Sequence, residues 1–240
     1  MNSESQLPAP APEPVRYSVP WKPIDNWIGL LLLALIYGGL FWISLQGDRG
    51  RLAQSGLLVL VQLSFLLPVV IIFAWRRVSW RSLGFGKFDW GTVGIGCGLL
   101  VASYAVILLH NGILILLGIE TQGEQISQLF GGLDSPVWFF VVGAILAPLV
   151  EEIFFRGFLF QGFRARYGWV RALLLSSAIF GVAHLDPVAI IPTFILGCLL
   201  GYLYQRSNSI WPGVIFHAII NSLGLCAAYF VTQYPNLIPL

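Results

Sequence analysis

Long apolar runs, separated by short polar, glycine- or proline-bearing breaks, recur along the chain. Seven of them suit helices that cross the ~30 Å hydrocarbon core of a bilayer. They span Trp27–Gln46, Gly56–Trp75, Gly91–Gly118, Trp138–Phe163, Val170–Leu185, Val188–Tyr204 and Trp211–Val231. The third is long and carries Asn111-Gly112, where a kink, or a split into an eighth element, is the alternative to one straight helix. The fifth and sixth are short, and only Asp186-Pro187 parts them, so that turn is expected below the membrane surface. The pattern predicts an all-α polytopic integral membrane protein: a bundle of about seven transmembrane helices, eight if the third divides.

Polar residues at the ends of these runs set limits and orientation. Trp27, Trp42, Trp75, Trp90, Trp138, Trp169 and Trp211 fall near predicted helix ends, where an aromatic belt belongs. Basic residues gather as Arg16 and Lys22, then Arg76, Arg77, Arg81 and Lys87, then Arg164, Arg166 and Arg171, with Arg206 alone. A cytoplasmic N-terminus puts all of them inside. Arg49, Arg51, Glu120, Glu124 and Asp134 then lie outside, as does the C-terminus. Residues 1–24, rich in proline and alanine, read as a disordered cytoplasmic tail. Residues 25–135 read as N-terminal helices with an interfacial segment near Arg76–Trp90, 136–232 as the functional core, and 233–240 as a C-terminal tail.

Composition narrows the class. Of 240 residues, 57% are hydrophobic and 10% charged, against about 25% charged in an average soluble domain. A formal net charge of +2 gives no case for nucleic-acid binding, and the basic clusters suit anionic lipid instead. Cys97, Cys198 and Cys226 all lie in predicted spans without ligand spacing, so they read as packing residues and not as a disulfide framework.

Against this background a few ionisable groups stand out. Glu151 and Glu152 interrupt an apolar run, with Arg156 just beyond. Each charge costs roughly 2.5–3.5 kcal/mol on insertion scales, while an apolar residue returns only about 0.3–0.6 kcal/mol. Such residues are functional candidates by default. Glu152 and Arg156, four apart, share a helix face and can pair. Glu151 lies about 100° round the helix and is left to act as a base. Pro148, one turn earlier, removes a backbone donor and can open room for water. His217 and Asn221 share a face of the last span and can donate to an oxyanion. His184 can share a water with Glu151. His110 has no partner in the pattern. Activated water, base, helper and oxyanion donors together describe peptide hydrolysis without a covalent nucleophile.

These residues also carry a resemblance. Glu151-Glu152-x-x-x-Arg156, Phe180-x-x-x-His184 and His217-x-x-x-Asn221 resemble, in order, the three motifs of the CPBP family of intramembrane endopeptidases. That family includes the type II CAAX prenyl proteases and bacteriocin-processing or immunity proteins. The resemblance covers roughly Trp138–Cys226. It implies a membrane-embedded peptidase acting on a membrane-anchored or lipidated protein or peptide. It further implies that Glu151 and His184 activate water, that His217 and Asn221 stabilise the oxyanion, and that Arg156 positions Glu152. A metal-free glutamate mechanism is the expectation. The alternative is zinc held by Glu151, His184 and His217, although no His-Glu-x-x-His signature occurs. Two other classes fit less fully: a non-catalytic scaffold or immunity factor on the same fold, and a proton-coupled transporter, for which no inverted repeat is evident.

Overall fold

The computed structural model describes residues 17–45, 51–131 and 136–234. All regular structure among them is helical. The helices are α1 (Pro23–Ser44), α2 (Arg51–Ser64), α3 (Leu66–Arg76), α4 (Trp90–Leu116), α5 (Gln122–Gly131), α6 (a continuous run over 136–167), α7 (Trp169–Ala183), α8 (Ile190–Ser207) and α9 (Trp211–Gln233). A single 3₁₀ turn, Trp80–Leu83, stands between α3 and α4.

Each of the seven expected spans is helical, but helix length and apolarity alone support five crossings. These are Pro23–Ile43, Gly56–Arg76, Trp90–Leu116, Val137–Tyr167 and Trp211–Gln233. The fifth expected span is the shorter apolar helix α7, and the sixth, α8, is diluted by Tyr202, Tyr204, Gln205 and Arg206. Two expectations are corrected. Asn111-Gly112 does not divide α4, which runs unbroken for 27 residues, so no eighth element arises there. The described part of the segment read as tail is packed on the bundle: α1 begins at Pro23, and Trp21 is buried against Phe73 and Phe158. Residues 1–16, Arg49, Asp134 and 235–240 lie outside the described residues.

The centre of the bundle is α6. Every residue from Val150 to Arg164 is buried. A helix apolar on all sides can only be stable when surrounded, and the sequence Ile153-Phe154-Phe155-Arg156-Gly157-Phe158-Leu159-Phe160 is close to that. Phe154, Phe155, Phe158, Phe160 and Phe163 interlock with Phe65, Phe73, Phe180 and Tyr204 from α2–α3, α7 and α8. The periphery is inverted relative to a soluble protein. Leu31, Leu35, Val101, Leu108, Leu109 and Leu116 all point outward, as lipid-facing side chains do. The seven tryptophans expected at helix ends are likewise outward-facing.

A polar lock fastens α1 to this core. Asp25 closes the first turn of α1 through the Lys22 backbone N–H (2.8 Å) and accepts two bonds from Arg76, at 3.0 Å from Nε and 2.8 Å from Nη2. Arg76, read above as a topology signal, is therefore also a structural partner. Beside it, Trp21 Nε1 donates to Asn26 Oδ1 (3.0 Å), and Asn26 Nδ2 donates to the Leu159 carbonyl of α6 (2.8 Å). Asn26 reaches that carbonyl because Gly162 has no side chain; a Cβ there would collide with the Asn26 amide. Arg164 is similarly buried, donating to Gln205 Oε1 and Asn208 Oδ1 while its guanidinium lies over the Tyr17 ring. At the start of α4, hydrogen bonds from the Thr92 hydroxyl and N–H hold the Asp89 carboxyl below its ordinary range.

Gly162→Ala should displace Asn26 and strand the Leu159 carbonyl and the Trp21 N–H. A stability loss of about 1–3 kcal/mol is expected, measured as earlier thermal unfolding in detergent. An unchanged melting curve would show that the lock is not needed.

Candidate functional site

The two glutamates sit on an irregular part of α6. Val142–Leu146 and Ile153–Phe160 are π-helical, and the α-helical stretch Ala147–Glu152 lies between them. π segments are rare and often mark functional positions. Pro148 accounts for how the first one ends. The Ala147 N–H bonds to the Val142 carbonyl, five residues back. The next donor in that register, for Gly143, would be the N–H that Pro148 lacks. Asn221 Nδ2, from α9, supplies the missing bond to the Gly143 carbonyl at 2.8 Å.

One turn on lies a buried charge cluster. Arg156 Nη1 donates to Glu152 Oε1 at 2.8 Å, as the four-residue spacing predicts, and both side chains are essentially inaccessible. Its Nη2 donates to the Gly197 carbonyl of α8 at 3.1 Å. Its guanidinium lies 4.5 Å from the ring centroid of Phe180, a cation–π contact. His217 completes the group. Nδ1 is 3.2 Å from Glu152 Oε1, and Nε2 is 3.8 Å from Glu151 Oε2. Because a carboxylate only accepts, Nδ1 donates to Glu152. Glu152 Oε2 abuts Gly213 so closely that a Cβ there would collide with it. Glycine at 213 is what lets α9 approach the acidic pair.

Glu151 faces differently, as the helical geometry anticipated. With Phe155 it lines a cavity of about 360 Å³. The other walls are Tyr37, Leu40 and Phe41 of α1, Leu57, Val61 and Gln62 of α2, Phe65 between α2 and α3, and Ala183, His184 and Leu185 at the end of α7. Glu151 Oε2 is buried without a hydrogen-bond partner among the described residues. His184 reaches the same cavity because α7 is short. At 1.5 Å per residue its 15 residues cover about 22 Å, less than the ~30 Å hydrocarbon core. The chain then turns through Leu185, whose φ is 54°. His184 Nδ1 lies 2.8 Å from the Phe180 carbonyl and must donate to it. In the neutral ring this leaves Nε2 as an acceptor.

Glu151 and His184 thus meet at one cavity, while Glu151, Glu152, Arg156 and His217 form one contiguous cluster. His217 and Asn221 are not among the cavity's lining residues. Among the described residues no three His, Cys, Asp or Glu side chains are grouped to hold a metal ion. His110, in α4, contacts Asn111 and stands apart. The three cysteines are free.

Two contributions were not read from the sequence. Phe180, which opens the second motif, is the ring on which Phe155 (4.9 Å), His184 (4.9 Å) and His217 (5.7 Å) converge edge-on, besides carrying Arg156. Tyr37 and Gln62 belong to the cavity wall, and no motif marks them. A lone glutamine inside an apolar run was the available signal.

Arg156→Ala would leave Glu152 buried and uncompensated. A loss of roughly 3–5 kcal/mol is expected, read as a fall in folded protein recovered from membranes and in melting temperature. Wild-type stability would contradict the pairing.

Comparison with known proteins covers this region. Residues 133–223 match the family model described as type II CAAX prenyl endopeptidase Rce1-like. "Putative membrane peptidase YdiL" of Bacillus subtilis (strain 168) is 26% identical over 180 residues, covering 73% of this chain and 72% of its own. "UPF0177 protein YxdF" of Lactococcus lactis subsp. lactis (strain IL1403) is 24% identical over 182 residues, 74% of this chain and 99% of its own. An "Uncharacterized 24.3 kDa protein" of Escherichia coli is 35% identical over 86 residues, 34% of this chain and 40% of its own. No solved structure matches the chain. With five helices long and apolar enough to cross a membrane, and membrane-peptidase relatives, the chain is an integral membrane protein. The resemblance first carried by three short motifs thus holds across 133–223, which matches the Rce1-like type II CAAX prenyl endopeptidases.

Proposed function

We propose that this protein is an intramembrane endopeptidase that hydrolyses a peptide bond of a membrane-anchored or lipidated protein or peptide. The observation that carries this reading is the cavity shared by Glu151 and His184, set among apolar walls inside the bundle. In the proposed reaction a water molecule is held between the Glu151 carboxylate and His184 Nε2. Glu151 takes its proton as the oxygen bonds to the scissile carbonyl carbon. The C–N bond then breaks, and the proton passes to the leaving amine. Fixing His184 Nδ1 on the Phe180 carbonyl supports the tautomer this step requires. Arg156 and His217 hold Glu152 through hydrogen bonds to its Oε1.

The oxyanion role that the resemblance implies for His217 and Asn221 has a geometric condition. Both side chains lie outside the cavity wall, so the substrate carbonyl must reach past Glu151. Asn221 keeps a second amide N–H beyond the one given to Gly143. The proposed route uses the Glu151 carboxylate and the His184 ring at their shared cavity, without a metal. We place the N-terminus in the cytoplasm on the distribution of arginine and lysine.

The test compares new protein termini, by terminal-peptide mass spectrometry, in cells carrying the intact chain, Glu151→Gln or His184→Ala at matched membrane abundance. Each substitution should reduce the termini by about 10²-fold or more, and cleavage by purified protein should survive chelation. Full cleavage by Glu151→Gln, or tightly bound stoichiometric zinc, would overturn the mechanism.

A further inference from the structure

Gln62 is a polar side chain in an otherwise apolar stretch of α2, Leu57-Leu58-Val59-Leu60-Val61-Gln62-Leu63. It lines the cavity that Glu151 and His184 line. Its Oε1 is buried and accepts no hydrogen bond among the described residues. A buried carbonyl oxygen without a donor destabilises a fold, and the same shape could be filled by an apolar residue. Packing therefore gives no reason for an amide here.

The partner such an oxygen lacks is a donor, and a polypeptide substrate offers one in its backbone N–H groups. An amide side chain, with one acceptor and two donors, matches the donor and acceptor of a peptide unit. Only part of a substrate has N–H groups to give. Within a helix they are bonded to carbonyls four residues back, and they are free only at the helix N-terminus or where the chain is unwound. Resting on the peptidase reading of the same cavity, we propose that Gln62 is a specificity-determining residue that holds the substrate backbone, so that this site takes unwound or terminal polypeptide segments and discriminates against intact transmembrane helix.

The experiment uses the protein in its native membranes, with Gln62→Met as a length-matched side chain whose thioether is only a weak acceptor for an N–H. New termini are counted by mass spectrometry, and thermal unfolding of the same purified variants is recorded. Removing an unpaired buried acceptor should leave the melting temperature unchanged or raise it, whereas loss of the substrate bond should lower cleavage roughly tenfold. The remaining termini should still map to segments outside predicted transmembrane helices. Wild-type cleavage by Gln62→Met would overturn the proposal. So would a variant that loses cleavage and melts earlier, since that describes a structural role. Glu151→Gln is the separating control. If it too leaves the termini unchanged, the peptidase reading fails, and this inference fails with it. If it abolishes them while Gln62→Met does not, only the role of Gln62 is lost.

Discussion

A guanidinium buried between a carboxylate and a backbone carbonyl, with an aromatic ring beneath it, constrains the rest of this bundle. Arg156 spends its hydrogen bonds on Glu152 of its own helix and Gly197 of α8, and it rests on Phe180 of α7. In a medium of low dielectric these contacts are worth keeping only if all are made together. They therefore fix the spacing of three helices at once. His217 extends the cluster to α9 by bonding the same glutamate. With Glu152 committed in this way, Glu151, a step round α6, stays near His217 and also meets the cavity.

The irregular geometry of α6 belongs to the same design. A uniform α-helix with Pro148 would leave the Ala144 carbonyl unpaired, about two turns before the acidic pair. The π-helical stretch moves that defect to Gly143, and Asn221 repairs it from α9. His217 and Asn221, one turn apart, thus fasten α9 to α6 at two levels. Their spacing suits this structural task as well as a chemical one, and a substitution at either changes both.

Much of this was legible because the membrane makes polar residues conspicuous. Glu152–Arg156 pairing and the separate heading of Glu151 followed from helical periodicity and cost, while the association of His184 with Glu151 came with the motif resemblance. Periodicity does not say which helix lies against which. Tyr37 and Gln62 come from α1 and α2, far from the motifs in sequence, and nothing local links them to Glu151. The same limit hid the Asp25–Arg76 pair, whose members are 51 residues apart. Proline content made the first 24 residues read as tail, yet Trp21 and Asn26 gain their places from Phe73, Phe158 and a glycine on α6. The length of α7 mattered in the other direction. It looked short for a span, and that shortness is what brings His184 down to the cavity.

The most direct test is an experimental density map of the protein in a lipid nanodisc at a resolution that shows ordered water. A water within hydrogen-bonding distance of both Glu151 and His184 Nε2 is the expected result. A cavity filled by lipid, or the two side chains turned to opposite sides of α6 with no shared space, would contradict it.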